Sequence, residues 1–281
     1  MHKLFFIDGN RDLGWQMTKQ VNVGLETELW RNRVKLNVDF YNKLTDDMLA
    51  DITLPLSAGF GSYKANIGKV LNRGVEVGLN VYAIRNTESN IFWSIGGTLA
   101  YNKNTIKEIS NSLKFLNDEL TENDGINPSF LFGKSMNTIF AVRSLGIDPS
   151  NGKELFLKAD GTRSYTWDAK DKVACGVNEP KVWGNLNTMF RWQGLTLNAI
   201  FRYRLGGQMY NATLANKVEN IRPIDNADRR VLYERWRKPG DYAQFKSVKD
   251  LTTTNATTRF VADENTLECA SLSLGYEWMS E

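Results

Sequence analysis

An antiparallel all-β fold is predicted by three features of this 281-residue chain: apolar residues recur with a period of two, the alternating runs are long, and the links between them are alternately short and long. The first run, 18–30, sets Val21, Val23, Leu25, Thr27 and Leu29 against Gln20, Asn22, Gly24, Glu26 and Glu28. The second, 33–43, sets Val34, Leu36, Val38 and Phe40 against Lys35, Asn37, Asp39 and Tyr41. The third, 69–84, is the strictest, with Val75, Val77, Leu79 and Val81 opposite Glu76, Gly78, Asn80 and Tyr82. A fourth, 91–102, alternates Ile91, Trp93, Ile95, Leu99 and Tyr101 with Ser94, Thr98 and Asn102. After a long irregular stretch the pattern resumes in 182–192, where Leu186, Phe190 and Trp192 oppose Asn185, Asn187 and Arg191. It continues in 195–206, where Leu197, Ala199, Phe201, Tyr203 and Leu205 oppose Asn198, Arg202 and Arg204. A last run, 267–278, sets Leu272, Leu274, Tyr276 and Trp278 against Ser271, Ser273, Gly275 and Glu277.

The links decide between a soluble sheet and a membrane wall. Arg31-Asn32, Arg85 to Ser89 and Gln193-Gly194 are tight turns, while 45–68, 103–181 and 207–266 are long. Evenly spaced turns would suit a sandwich; short turns at one end and long loops at the other suit an up-and-down transmembrane barrel. Runs of about 11–13 residues match the tilted length that crosses a bilayer better than the soluble average of about 5–6. Trp30, Trp93, Trp192 and Trp278 fall at the short-turn ends, with Tyr101 and Tyr203 toward the long-loop ends, as in two interfacial girdles. The expected fold is therefore a portion of a transmembrane β-barrel, a curved open sheet of about seven to nine strands, with long extracellular loops. The higher number applies if "RSLGIDPSNGKELFL" forms an extra pair above the membrane. One short loop helix is expected between Asp225 or Asn226, as N-cap, and the stop at Pro239-Gly240, with Leu232 and Trp236 four apart on it.

Composition excludes several functions. Formal charge is +3 with both signs scattered, so no basic stripe tracks phosphates and nucleic acid is not an expected partner. Cys175 and Cys269 are far apart, with neither disulfide-framework nor metal-ligand spacing. The single histidine, His2, lies at the terminus, which leaves no Ser-His-Asp or Cys-His arrangement and no catalytic reading. Asp46-Asp47 and the pair Asp168 and Asp171 read as solvated loop charge, and "DPSNGKE" and "ADGT" as turns rather than calcium loops. No metal and no cofactor is implied. No run approaches the roughly 18 apolar residues of a spanning helix, and "LFFI" at the start is too short for a signal-peptide core. If the protein is exported, an N-terminal part is expected to have been cut away.

Four stretches carry a resemblance. "NRDLGWQMTKQVNVGLE", "VKLNVDFYNKLTDDMLADITLPLSAGFGSYKANIGKVLNRGVEVGL", "RSLGIDPSNGKELFLKADG" and "DRRVLYERWRKPGDYAQF" resemble, in content and order, segments of SusC/RagA-type TonB-dependent outer-membrane transporters, from about Asn10 to Trp278. The resemblance implies a C-terminal barrel fragment of a Gram-negative outer-membrane protein whose complete barrel has about 22 strands around an N-terminal plug. It implies outer-membrane lipid around the wall and a SusD-like surface lipoprotein as lid. It also implies uptake of oligosaccharide or peptide driven by the TonB complex through the N-terminal part. Plug, TonB box and final strands are expected to be missing from residues 1–281.

On this reading Glu26, Glu28, Lys35, Asp39, Glu76, Asn80, Asn185, Arg191, Arg202 and Arg204 line a wet lumen. Their mixed signs suit plug contacts or passage of a neutral polar solute better than an ion-selective ring. Mutual salt bridges bracing the wall draw on the same residues. Loop aromatics Phe60, Tyr63, Tyr165, Trp167, Trp183 and Trp236 are candidate contacts to substrate or lid, although packing of loops on one another uses the same rings. A reading from another class, a soluble or surface-attached carbohydrate-binding module, is separated by burial. The transporter leaves Val75, Val77, Leu79, Val81, Leu197 and Phe201 on a band with no protein over it; the module buries them in a core.

Overall fold

Three tight turns join six of the seven long alternating runs in pairs, and the long links bring these pairs and the last run side by side. The computed structural model describes residues 13–53, 62–111, 113–114, 117, 130–221, 224, 226 and 228–278, with the backbone alone at 50–53, 62 and 63. Its strands are β1 (Met17–Leu29), β2 (Val34–Asp46), β3 (Leu49–Thr53), β4 (Ser62–Asn66), β5 (Gly68–Asn86), β6 (Ile91–Ile109) and β7 (Thr138–Ile147). There follow β8 (Glu154–Leu157), β9 (Arg163–Ser164), β10 (Lys172–Val177), β11 (Val182–Trp192), β12 (Leu195–Tyr210) and β13 (Val261–Tyr276). Seven of them form one antiparallel sheet in the order β1-β2-β5-β6-β11-β12-β13, with β1 and β13 at its edges. The turn between β11 and β12 places Gln193 and Gly194 at φ 44° and 88°, the left-handed pair whose twist matches the flanking strands.

Observed strands extend beyond the predicted runs at the long-loop end. β6 continues to Ile109 and β12 to Tyr210, and β13 begins at Val261. The extra residues lose strict alternation but keep their ladder partners, Gly68 to Val70 for the end of β6 and Val261 for Tyr210. In β13 the register shifts between the partners of Ile200 and Phe201, so Leu267 and Cys269 share the face of Leu272 and Leu274 although their parity differs.

Within the long links lie a β3–β4 hairpin and a four-stranded sheet, β10-β7-β8-β9. The pair β7–β8 is the hairpin of "RSLGIDPSNGKELFL", turned at Asp148, whose Oδ1 accepts from Ser150 N at 2.8 Å, and at Gly152 with φ 73°. The helix expected between 225 and 240 is one 3-10 turn, Arg229–Leu232, capped by Asp228, whose carboxylate accepts from Arg230 N at 2.9 Å. Asp225 lies outside the described residues. The helix stops because tertiary contacts claim the residues after Leu232: Trp236 donates to Pro149 O at 2.9 Å and Arg235 to Lys246 O at 3.1 Å. A run this short has no stability of its own to set against them. A π-helical turn, Leu214–Glu219, is another helical element here, and no sequence signal pointed to it.

The core lies in the loops. One buried cluster joins Ala65, Ile67 and Leu113; another joins Ala215, Val218, Phe245 and Phe260. The large buried apolar side chains come from loops, the four-stranded sheet, or the long-loop ends of β5 and β6. Along the sheet the apolar face is open: Val21 is 66 % exposed, Leu25 61 %, Leu79 45 %, Leu186 51 % and Leu274 71 %. Val75, Val77, Val81, Leu197 and Phe201 are half-buried by their ladder neighbours, with neither buried cluster over them.

Candidate functional site

The polar face of the sheet follows from register. Glu26 pairs with Asn37, Asn37 with Gly78, Gly78 with Thr98, Thr98 with Asn185, Asn185 with Arg202 and Arg202 with Glu268, so one polar rung crosses all seven strands. Neighbouring rungs carry Glu28, Lys35 and Asn80, and Asp39 and Glu76. Arg204 pairs with Trp183, two residues from Asn185, and Arg191 continues the same parity along β11. All ten residues chosen from the sequence therefore share one face. Period two and an uninterrupted antiparallel register are sufficient to bring them together.

Charges on that face are loosely paired. Lys35 Nζ lies 2.5 Å from Glu28 Oε1 and Arg204 3.5 Å from Glu264, both half-exposed, so each contributes at most about 1 kcal/mol. Arg191 stacks over Phe92 at 6.0 Å. Asn80 Oδ1 is buried without a partner among the described residues. Glycine makes room for the larger amides: a Cβ on Gly78 would strike the side chain of Asn37, and one on Gly96 that of Asn187. The face is thus a layer of amides and compensating charges rather than a ring of one sign.

Loop aromatics divide. Phe60 lies outside the described residues, and Tyr63 is on β4 with its side chain outside them. Trp236 is anchored on Pro149 O and covers Gly152; Trp167 donates to Ala256 O at 3.1 Å and lies 5.9 Å under Lys172. Tyr165 is 50 % exposed, with its hydroxyl donating to Asp148. Hydrogen bonding by Tyr165, then by Ser150, holds the Asp148 carboxyl below the usual carboxylate range. Trp183 sits on the polar face of β11 opposite Arg204. Loop-on-loop packing therefore accounts for Trp167 and Trp236; Tyr165 is exposed, and Trp183 is half-buried on the polar face.

Sequence reading missed an ionic knot. Arg259 reaches Glu154 at 2.7 Å, Glu219 at 2.6 Å and Gln244 O at 2.6 Å, joining three loop segments. Burial opposes its charge, but hydrogen bonds and attraction from Glu154 and Glu219 outweigh burial and hold the guanidinium above its ordinary value. Arg235, 6 % exposed, binds the carbonyls of Val218, Glu219 and Lys246. Burial lowers both Arg235 and Lys246. Glu154 and Glu219 lie 105 and 40 positions from Arg259 along the chain, so no local spacing announces the knot. Among the described residues no group of three or more His, Cys, Asp or Glu side chains is placed to hold a metal. None of their helices is long and apolar enough to cross a membrane, which says nothing of strands.

A sheet with one apolar face left open, one amide-rich face, short turns at one end and a folded loop cluster at the other defines a segment of β-barrel wall. Comparison with known proteins names the family. The family model "TonB dependent receptor-like, beta-barrel" matches residues 3–221, and the chain belongs to this family. TonB-dependent receptor P39 of Formosa agariphila is 25 % identical over 325 residues, covering 96 % of this chain and 30 % of its own length. TonB-dependent receptor SusC of Bacteroides thetaiotaomicron is 22 % identical over 218 residues, covering 74 % of this chain and 21 % of its own. A solved structure of the RagAB peptide transporter superposes with TM-score 0.77 at 24 % identity, over 95 % of this chain and 30 % of that one. The chain thus spans about 30 % or less of these relatives, which are receptors and transporters rather than enzymes.

Proposed function

We propose that this chain forms part of the wall and outer loops of an outer-membrane, TonB-dependent nutrient importer. The single observation that carries the reading is the open apolar band: Val21, Leu25, Leu79, Leu186 and Leu274 are exposed across the sheet while the buried clusters lie in the loops. In water such a surface is a liability; against lipid tails it is satisfied, because the strands that carry the band are paired on both sides between the two edges. Outer-membrane lipid is then the first partner.

The work assigned to the protein is binding and gated passage of an oligosaccharide or peptide, with no bond chemistry. The amide-rich face, with Glu28–Lys35 and Arg204–Glu264 compensating one another, suits contact with a plug and passage of a neutral polar solute. Tyr165 and Trp183 are the loop and rim rings best placed to meet cargo or a SusD-like lid. Energy from the TonB complex would enter through the N-terminal part of the whole protein. The carbohydrate-binding module gains no support, since it requires the band to be a core.

The test is uptake by cells carrying or lacking the whole gene, with fractionation of the outer membrane. Loss of growth on one oligosaccharide or peptide source, with the protein in the outer-membrane fraction, supports the proposal. Recovery of the intact protein as a soluble, monodisperse species without detergent would overturn it.

A further inference from the structure

β6 outlasts its neighbour. Its pairing with β11 ends at Tyr101 opposite Val182, whereas its pairing with β5 runs on to Ile109. Above the gap, Ile106 is tied to a loop: its N–H donates to Lys134 O at 2.9 Å and its carbonyl accepts from Gly133 N at 2.9 Å. Residues 102–105 therefore have no strand partner on that side among the described residues. In an antiparallel ladder the N–H and C=O of one residue point to the same neighbour and alternate residues point to opposite ones. Ile106 points into the gap, and so, by parity, do the backbone groups of Asn102 and Asn104.

A second free edge faces the same space. β10 is an edge strand, paired among the described residues with β7 alone. Its residues Ala174 to Val177 line a slot of about 530 Å³ together with Tyr101 to Thr105. Runs of consecutive residues from both strands line it, which is how strand edges rather than strand faces meet a cavity. Val177 N donates to Gln208 Oε1 at 3.2 Å, so a side-chain amide occupies part of the place a strand would take. Sheet edges are ordinarily paired, covered or charged. The free side of residues 102–105, paired with β5 on their other side, offers about 13 Å of edge at about 3.3 Å per residue, with the backbone groups of Asn102 and Asn104 turned toward it.

We propose that this slot is a strand-addition site for an extended peptide of about four residues, bound through its main chain to Asn102 and Asn104. Neutral braces keep the slot open: Asn104 accepts from Met136 N at 2.9 Å and donates to Asn72 at 2.9 Å. Three lysines against one glutamate among the described lining residues favour a peptide carrying a carboxylate. Among the described residues Tyr101 is its one aromatic ring, so they build no stacking platform of a sugar site here. The assignment rests on the importer reading and narrows its cargo to peptide.

The test uses the full-length protein in lipid nanodiscs and alters the ligand, so that folding is not at issue. Three probes are compared: a Ser/Thr octapeptide with a free C-terminal carboxylate, the same peptide N-methylated at alternate residues, and maltohexaose. The expected result is binding of the octapeptide with slowed amide exchange at 102–105. N-methylation, which removes main-chain donors, should weaken binding by about tenfold or more. Equal binding of the N-methylated peptide, octapeptide binding without protection at 102–105, or protection there by maltohexaose alone would overturn the slot. Outer-membrane recovery with uptake of either cargo would leave the importer reading standing, while absence of the protein from the outer membrane would remove it whatever the slot binds.

Discussion

The seven-stranded sheet and the loop cluster above it put the same residue types in opposite places. In the loops Phe245 and Phe260 are 3 % and 1 % exposed, and Arg259 and Glu219 sit beside them as an ion pair. In the sheet Leu272 is 67 % exposed and Val23 65 %, while the amides and charges occupy the other face. The loop cluster is organised as a protein in water, with an apolar centre and buried ions tied by charge-assisted hydrogen bonds. The sheet has no centre. Its interior strands are paired on both sides across the band, and its apolar side chains face outward, where on the proposed reading the solvent is apolar as well. On the proposed reading one chain is built for two solvents, and the loop cluster begins where β6, β12 and β13 leave strict alternation.

The comparison breaks most sharply at the ionic knot. Arg259→Ala leaves Glu154 and Glu219 buried without their cation, and the loop cluster should lose about 3–5 kcal/mol. Phe260→Ala should cost about 3–5 kcal/mol through the cavity it leaves. Both are read as protease sensitivity of the 207–260 segment in the full-length protein under urea, with the sheet unaffected. Next comes the band: Leu79→Arg should cost about 2–4 kcal/mol in lipid if Leu79 lies near the midplane, measured by unfolding in vesicles. No cost would mean that the face is wet.

Trp236→Phe tests a smaller link. It keeps the ring over Gly152 but removes the bond to Pro149 O, with an expected loss of about 1 kcal/mol confined to the contact between the two loops. Hydrogen exchange of 148–152 against 84–92 reads it. The smallest effect is the Asp228 cap. Hydrogen bonding from Arg230 holds the Asp228 carboxyl down at about 2, below its ordinary 3.8. A depressed folded value means that the cap's contribution is present above about 3.8 and is lost as pH falls through about 2. A carboxyl titration with its midpoint near 4 would show that the Arg230 contact is not held.

Much of the wall is legible in the sequence because its period is two and its register runs without a shift across the middle of β1 to β12; Glu26, Asn185 and Arg202 share a rung for no other reason. The loop cluster is not legible in that way. Its knot depends on Glu154 and Glu219 meeting Arg259 from 105 and 40 positions away, and such pairings leave no local trace. The helix around Leu232 and Trp236 is written in local propensity, and tertiary bonds to Pro149 and Lys246 limit it to one turn. The slot between β6 and β10 is equally hidden, since it arises from where a ladder ends rather than from any residue type.

Whether the two faces of the sheet meet two solvents is decided most directly at "VEVGLNV", Val75 to Val81. Single nitroxide labels at each position of the full-length protein in lipid vesicles would report accessibility to oxygen, which partitions into lipid, and to a water-soluble nickel chelate. A sheet between lipid and a wet lumen gives oxygen access at 75, 77, 79 and 81, reduced oxygen access and higher polarity at 76, 78 and 80, and a clean period of two. Labels at 75, 77, 79 and 81 shielded from both reagents would place a protein core over the band and contradict it.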